Sequence, residues 1–296
     1  MTTVIAKEVY INNNTFTNNQ IIEEVDCNYT AWENNSMDNA FNACTNLIRC
    51  NNFNDNTTSL YAAFRNCPNL IEVSELPTNA ESIQDIFHYC SNLVNIPSIP
   101  NSVTNLHLSF SGSGVVNSPV IPNGVTNMYS TFHKCYNLVN APVIPDSVQI
   151  LGYAFYRTNI TNMPNIPSNV YYLQYGFFGC YNLVNTVNIP ETVNQISGAF
   201  HYCNNLVTAP HIFANTTSVY NLFADCWKLT GNVYIYSKNI TSAINCFYNT
   251  SLQKNVYIPF KYANNVNTLT YNAIISAGYT TTGSSCGVYL KDLNQL

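Results

Sequence analysis

A repeat anchored by phenylalanine constrains the fold of this chain more than any other feature of its sequence. Successive anchors are 22 to 24 residues apart. A unit of this size is too small to bury its own apolar face, so it must stack on its neighbours. The anchors are Phe41, Phe64, Phe87, Phe110, Phe132, Phe155, Phe177, Phe200, Phe223 and Phe247. We therefore predict a repeat solenoid whose core is shared between successive units.

The first half of each repeat favours a very short parallel strand. The segments 187–189, 233–235 and 256–258 alternate apolar, variable and apolar residues, which sends the middle side chain outward. Five repeats begin this triplet with a proline, which has no N–H for a sheet. These prolines are Pro97, Pro119, Pro142, Pro164 and Pro210. In those repeats we expect strands of only two or three residues.

The second half of each repeat offers few apolar positions. In the repeat that ends at Phe155, only Val148, Leu151 and Phe155 are available to the core. Their spacing suits a short helical turn, whereas the β-branched and aromatic content favours an extended segment. Both conformations remain open from the sequence.

Cysteine and asparagine recur at fixed positions of the repeat. Seven of the eleven cysteines lie three residues after an anchor, where other repeats carry Ser or Thr: Cys44, Cys67, Cys90, Cys135, Cys180, Cys203 and Cys226. Such interchange is typical of a packing site, so we predict free, buried thiols and folding in a reducing compartment. A second column is Asn46, Asn69, Asn92, Asn137, Asn182 and Asn205. We predict that it forms an internal hydrogen-bonded ladder, with ligand contact as the alternative.

Charge and apolar patterning exclude several classes of partner. The chain has 10 basic and 15 acidic residues and a net charge of −5, so it lacks a basic surface for nucleic acid or anionic lipid. No apolar run approaches the about 18 residues of a spanning helix, and residues 1–14 do not resemble a secretory signal. We expect no nucleic-acid partner, no membrane insertion and no leader.

The sequence carries no recognisable catalytic or metal-binding motif. His-x-Cys occurs at His88, His133 and His201, but the residue after each anchor is variable and is predicted to face outward, whereas the cysteine faces the core. No phosphate loop, zinc-protease helix or nucleophile elbow is present. The sequence therefore predicts a protein that is not an enzyme and has no catalytic residues, no metal and no cofactor.

The unit I-P-x-S-V-x-x-L-x-x-x-F-x-x-C-x-N-L-V resembles the BspA-like leucine-rich repeat, also called the Treponema pallidum-type repeat. The segments IPNSVTNLHLSF, IPDSVQILGYAFYRTNI and FHYCNNLVTAP carry the resemblance. It implies a leucine-rich-repeat solenoid, a right-handed coil with a parallel sheet of short strands on one face and short helical or extended turns on the other. Such repeats occur on bacterial surface adhesins, protist surface proteins and some phage proteins.

The ends differ from the middle, as the caps of a solenoid should. We predict an N-terminal β cap over 1–36, about ten repeats over 37–259 and a C-terminal cap over 260–296. The last segment contains a predicted helix from Tyr271 to Ala277 and a predicted strand from Gly287 to Leu290. The caps also offer surfaces for homo-oligomer contacts.

The outward residue of the short strand becomes aromatic in the last repeats. His211, Tyr234 and Tyr257 occupy this position, and Phe213 and Tyr236 lie two residues beyond two of them. We call these five residues the aromatic strip. Adjacent rings about 5 Å apart suit stacking on sugar rings or anchoring a protein. The alternative is an aromatic ladder that only stabilises the sheet.

These observations predict a recognition or structural protein that presents a repeat surface to a protein or glycan. The setting that we expect is a phage virion or a cell surface, with other virion proteins or a cell-surface molecule as partner. An intracellular scaffold or effector and a bacterial or protist adhesin without its leader are the alternatives.

Overall fold

A computed structural model describes residues 3–4, 10–11, 16–27, 31–213, 215–237, 239–250, 254–258, 273–274, 276 and 288–292. The chain divides into two compact units, 1–147 and 148–296. Each unit contains five of the ten anchor phenylalanines, and all ten are fully buried.

The anchors form a column of rings in each unit. In the first unit, neighbouring ring centroids from Phe16 to Phe132 are 5.3 to 6.3 Å apart. In the second unit, those from Phe155 to Phe247 are 5.5 to 5.9 Å apart, with ring planes 6° to 11° from parallel. Offset stacking of this kind adds to the free energy gained by burial. The predicted solenoid is confirmed.

The cysteine column packs beside the rings, and its thiols donate hydrogen bonds to backbone carbonyl oxygens. All seven thiols are buried and free. Each donates to the carbonyl oxygen of the preceding ring column member, at S···O distances of 2.9 to 3.1 Å. Thr158 and Thr250 at the same position donate instead to the anchor of their own repeat, at 3.0 and 2.9 Å. The position therefore requires a small side chain that can donate a hydrogen bond, which explains the interchange.

Burial also makes these thiols unreactive. Desolvation raises the pKa of Cys90, Cys135 and Cys180 to about 12 in each case. The prediction of free, buried thiols is confirmed for the ten described cysteines, while Cys286 lies outside the described residues.

Parallel strands line one face of the first unit. Strands β1 (Thr3–Val4), β3 (Glu24–Asp26), β5 (Arg49–Asn51) and β6 (Glu72–Val73) form one sheet in that order, and β2 (Tyr10–Ile11) pairs with β4 (Ala31–Trp32). A short 3₁₀ turn covers Glu33–Asn35. Arg49 bridges Glu24 and Glu72 at 3.0 and 3.1 Å, but these exposed ion pairs contribute little stability.

The second unit ends in a three-stranded parallel sheet. It consists of β7 (Val233–Tyr234), β8 (Lys254–Ile258) and β9 (Val288–Asp292). The register pairs Tyr234 with Tyr257 and Val233 with Val256. The apolar residues around the tyrosines are buried, as the predicted alternation requires.

The proline-bearing repeats have even less sheet than predicted. Between β6 and β7 the described residues form isolated parallel bridges in place of strands of two or three residues. The strand-face bridges there are Asn117 to Asn140, Asn162 to Asn185, Ile189 to Ile212 and Ile212 to Ile235. In the repeats that carry them, the missing proline N–H groups account for the interruption.

The second half of each repeat is neither helical nor extended. It is a series of overlapping turns. In repeats such as the one around Phe177, every second amide donates within the turn and the others donate to the next repeat. Around Phe177 the turn bonds are Gly176 N–H to Leu173 O, Phe178 N–H to Tyr175 O and Cys180 N–H to Phe177 O, at 3.0 to 3.2 Å. The bonds to the next repeat are Leu173 to Gln195, Tyr175 to Ser197, Phe177 to Ala199 and Gly179 to His201, at 2.7 to 3.0 Å. These bonds pair most of the backbone N–H groups of a turn segment that lacks regular structure.

This turn series requires two left-handed residues in every repeat. Positive φ angles occur two residues before and two residues after each anchor, for example at Tyr175 (53°) and Gly179 (66°). Type II turns need positive φ at their third residue, a conformation that favours glycine or asparagine. Here Leu108, Tyr153 and Arg157 also adopt it. The bonds to the next repeat must therefore outweigh the local cost.

The asparagine column forms a ladder, but the prediction that it is internal was wrong. Five of its six members are exposed and Asn205 is half-buried. Side-chain amides donate to the preceding repeat, as in Asn69 to Thr45 O at 2.9 Å and Asn205 to Asn182 Oδ1 at 3.4 Å. The cysteine two residues before and the leucine after each asparagine point inward, and the amide between them is left at the surface.

Described residues of both predicted caps contact the adjacent repeats through Phe16 and β9. Phe16, in the predicted N-terminal cap, stacks on Phe41 at 5.3 Å. Residues 273–274 and 276 are helical, and β9 includes the predicted final strand except Gly287. Gly287 and the rest of the predicted helix lie outside the described residues. The cap boundaries and the proposed oligomer contacts stay predictions.

Candidate binding surface

The five residues of the aromatic strip lie together in the second unit. Their rings come from three successive repeats, and β7 and β8 hold the two tyrosines Tyr234 and Tyr257 in register. Phe213 is 39% exposed, and the other four side chains are half-buried. The sequence prediction that these residues form one contiguous surface is therefore matched by their placement.

Two stacked pairs and one imidazole make up the strip. Phe213 stacks on Tyr236 with centroids 4.5 Å apart and planes at 20°, and Tyr234 stacks on Tyr257 at 4.8 Å and 11°. His211 lies 4.6 Å from Tyr234, 5.9 Å from Tyr236 and 6.0 Å from Phe213. The imidazole thus connects the two stacks into one cluster.

Stacking determines which parts of the rings a ligand can reach. The faces between neighbouring repeats cover each other, so ring edges and phenol hydroxyls make up much of the outer surface. Asn232 donates to the Tyr234 hydroxyl at 3.4 Å and accepts from Asn255 at 3.3 Å. These bonds orient one hydroxyl of the strip. A sugar ring can stack only on the open faces at the ends of the cluster.

The first unit carries exposed apolar residues at the repeat position that His211, Tyr234 and Tyr257 occupy in the second unit. Val120 and Val143, the outward residues of two proline-flanked segments, are each 88% exposed. Each lies in a P-V-I-P segment. The alternation of inward and outward side chains along this segment indicates their exposure.

A second aromatic group lies in the turn segments of the second unit, and sequence reasoning missed it. Its members are Tyr153, Tyr156, Tyr175, Phe178, His201 and Tyr202. Tyr156 stacks on Phe178 at 4.5 Å and 2°, and the Arg157 guanidinium carbon lies 5.6 Å from the Tyr156 ring. The signal was the recurrence of aromatic residues around successive anchors. These side chains are half-buried and brace neighbouring turns.

The His-x-Cys histidines are held by structural hydrogen bonds. His88 Nδ1 lies 2.8 Å from Asp85 Oδ1, and His201 Nε2 lies 3.1 Å from Asp225 Oδ2. Burial lowers the pKa of His201 despite that carboxylate. The prediction that the residue after the anchor faces outward was wrong for His88, which is only 8% exposed. Its hydrogen bond to Asp85 compensates for the burial.

The described residues contain no group of three or more His, Cys, Asp or Glu side chains placed to hold a metal ion. In the described part of the chain, no helix is long and apolar enough to span a membrane.

The fold and repeat geometry define a leucine-rich-repeat solenoid, and comparison with protein families agrees. A model of the BspA type leucine rich repeat region matches in six copies, over residues 3–110, 62–183, 107–230 and 148–277. The chain belongs to this family, as its resemblance implied. No curated protein sequence matches it.

Solved leucine-rich-repeat proteins from bacteria are similar in fold. The T. pallidum leucine rich repeat protein TpLRR is 25% identical, over 62% of this chain and 72% of that chain, with a TM-score of 0.41. A leucine rich cell surface protein from Faecalibacterium prausnitzii is 18% identical, over 95% and 83%, with a TM-score of 0.42. A protein from Eubacterium ventriosum is 21% identical, over 79% and 72%, with a TM-score of 0.49.

Proposed function

We propose that this protein is a non-enzymatic recognition protein that binds a protein or glycan through the aromatic strip. The single observation that carries the proposal is the clustering of five partly exposed aromatic and imidazole rings from three repeats on one face. Stacking holds these rings in fixed positions before a partner arrives. Binding therefore costs little side-chain entropy.

The chemistry of the strip favours a partner with apolar and hydroxyl or amide groups. Ring edges supply apolar contact, and the phenol hydroxyls of Tyr234, Tyr236 and Tyr257 can donate or accept hydrogen bonds. None of the five side chains carries a permanent charge. Binding through the strip should therefore depend only weakly on ionic strength.

The experiment compares a strip variant with a matched tyrosine elsewhere. Tyr234→Ser combined with Tyr257→Ser removes one stacked pair, and Tyr248→Ser removes a tyrosine that is 60% exposed next to an anchor. Each variant is applied to a glycan array and to a panel of immobilised cell-surface proteins, and its melting temperature is measured. The strip variant should lose binding and the Tyr248 variant should keep it. A lower melting temperature with unchanged binding would assign the strip to sheet stability alone.

The setting that we propose is a phage virion, with assembly in the reducing host cytoplasm. The free, buried cysteine column supports folding in a reducing compartment. Mass spectrometry of purified virions and of bacterial membrane, surface and cytosolic fractions tests this setting. Recovery in virions supports it. Recovery only in the cytosol would indicate an intracellular scaffold, and recovery only at the cell surface would indicate an adhesin.

A further inference from the structure

A polar cleft in the second unit is lined by residues of three successive repeats. It has a volume of about 430 Å³, within the about 300–1,000 Å³ of small-molecule sites. Its lining is Gln174, Asn194, Gln195, Ser197, Asn215, Thr216, Thr217 and Ser218. We call these residues the amide cleft. Its lining residues are distinct from those of the aromatic strip.

The cleft lies where the bonding between repeats is interrupted. Isolated bridges join Ile150 to Tyr172, Tyr172 to Gln195 and Ser218 to Ser242. Among the described residues, no such bridge joins Gln195 to Ser218, the intervening pair in this series. The amide of Asn194 donates to Tyr171 O at 3.0 Å. The equivalent bond from Thr217 to Asn194 does not form, so polar backbone at this junction remains open to a ligand.

A single residue explains the interruption. Thr216 is 1% exposed and occupies the core position that Val193 holds in the preceding repeat. Its hydroxyl donates to Ser218 O at 3.0 Å and accepts from Ser218 N–H at 3.2 Å. Both backbone groups of Ser218 are bound within their own repeat. They therefore do not make the bonds to Asn194 O and Ile196 N–H that a bridge between Gln195 and Ser218 would need. The Ser197 and Ser218 hydroxyls, 3.0 Å apart, remain in contact across the cleft.

The lining consists of neutral hydrogen-bonding groups. Four side-chain amides and four hydroxyls provide both donors and acceptors, and no lining side chain is ionisable. Asn194, Gln195, Asn215 and Thr217 are exposed and so accessible to a ligand. Tyr171 lies one repeat before Asn194 at the same repeat position, and Tyr220 lies one repeat after Ser197 at the same repeat position. The two tyrosines are exposed by 39% and 38%. A ligand for this cleft must be uncharged and rich in hydroxyl groups.

We propose that the amide cleft binds a neutral saccharide. Amide and hydroxyl side chains pair with sugar hydroxyls through both their donors and their acceptors. A sulfated or sialylated sugar finds no cation in the lining to compensate for the desolvation of its charge. The bordering tyrosines supply rings on which a sugar can pack. Binding at this site does not depend on whether the aromatic strip binds a partner.

The test uses an array of neutral, sialylated and sulfated oligosaccharides as the probe. The full chain should bind neutral members in preference to charged ones. Asn194→Ala with Asn215→Ala should weaken that binding by about tenfold, since two hydrogen-bonding side chains are lost. Asn165→Ala, at another exposed asparagine, is the control. Thr216→Val should abolish binding, because it restores the valine and frees Ser218 to form the missing bridge with Gln195.

Several outcomes would overturn this assignment. They are the absence of neutral-glycan binding by the wild-type chain, a preference for charged glycans, or undiminished binding by the folded double alanine variant. The Tyr234→Ser and Tyr257→Ser variant separates the two proposals. If it loses neutral-glycan binding while the double alanine variant keeps it, the saccharide belongs to the aromatic strip. The cleft assignment then fails while the proposed function stands.

Discussion

The left-handed positions beside the anchors predict opposite behaviour for two adjacent alanines. Ala62 has a φ of 52°, whereas Ala63 is not among the positive-φ residues. Both side chains are buried, with 1% and 0% exposure. Each can be replaced by glycine without loss of a backbone hydrogen bond. Differences between Ala62→Gly and Ala63→Gly therefore report the local conformation.

The expected magnitudes follow from three contributions. Either substitution removes one buried methyl group, which costs about 0.8 kcal/mol, and adds backbone entropy to the unfolded chain, which costs about 0.5–1 kcal/mol. Only Ala62→Gly also relieves a left-handed L-residue, which recovers about 1–2 kcal/mol. The Ala62 variant should therefore be close to wild type in stability. The Ala63 variant should lose more than about 1 kcal/mol.

Denaturant unfolding followed by circular dichroism measures both variants under the same conditions. The difference in the free energy of unfolding between them should be about 1–2 kcal/mol, with equal m-values. Equal losses in both variants would refute the assignment of positive φ at Ala62. A larger loss for Ala62→Gly would refute it more strongly.

Three further predictions concern the core, the turns and the thiols. Phe177→Ala should cost about 3–5 kcal/mol in denaturant unfolding, because the buried ring stacks on both neighbours; a loss below about 1 kcal/mol would contradict the ring column. Gly198→Ala should lower the melting temperature, since φ is 64° and a Cβ would lie 2.3 Å from the Tyr175 ring; an unchanged value would contradict this contact. Cys90, with a pKa raised from 9.0 to about 12, should resist a thiol reagent until the chain unfolds. Because the folded state holds this proton more tightly, its contribution to stability should fall as pH rises from about 9 towards 12; pH-independent stability there would contradict it.

The ring and cysteine columns could be predicted because the period is written directly in the sequence. Phe and Cys recur at fixed spacing, and a solenoid must superimpose such positions. The aromatic strip followed from the same register, since one outward position per repeat forms a line along the sheet. The stacked geometry of the strip could not be predicted from the register, because ring orientation depends on side-chain packing rather than on spacing.

The turn conformation could not be predicted, because local propensity opposes it. Leu108 and Tyr153 disfavour positive φ in isolation, and only the bonds to the next repeat hold them there. The prediction wrongly placed the asparagine ladder inside the coil, because the hydrogen bonds of the ladder run between repeats along the surface. The amide cleft did have a sequence signal. Thr216 replaces valine in an otherwise apolar column, but the consequence for Ser218 depends on hydrogen bonds that the sequence does not show.

Residue-resolved amide hydrogen exchange tests most directly whether backbone bonds between turn segments join the repeats. The amides of Leu173, Tyr175 and Phe177 donate to the next repeat and should exchange slowly, although they belong to no helix or strand. The amide of Thr217, at the interrupted junction, should exchange faster. Exchange of all four amides at the rate of an unprotected peptide would contradict the account.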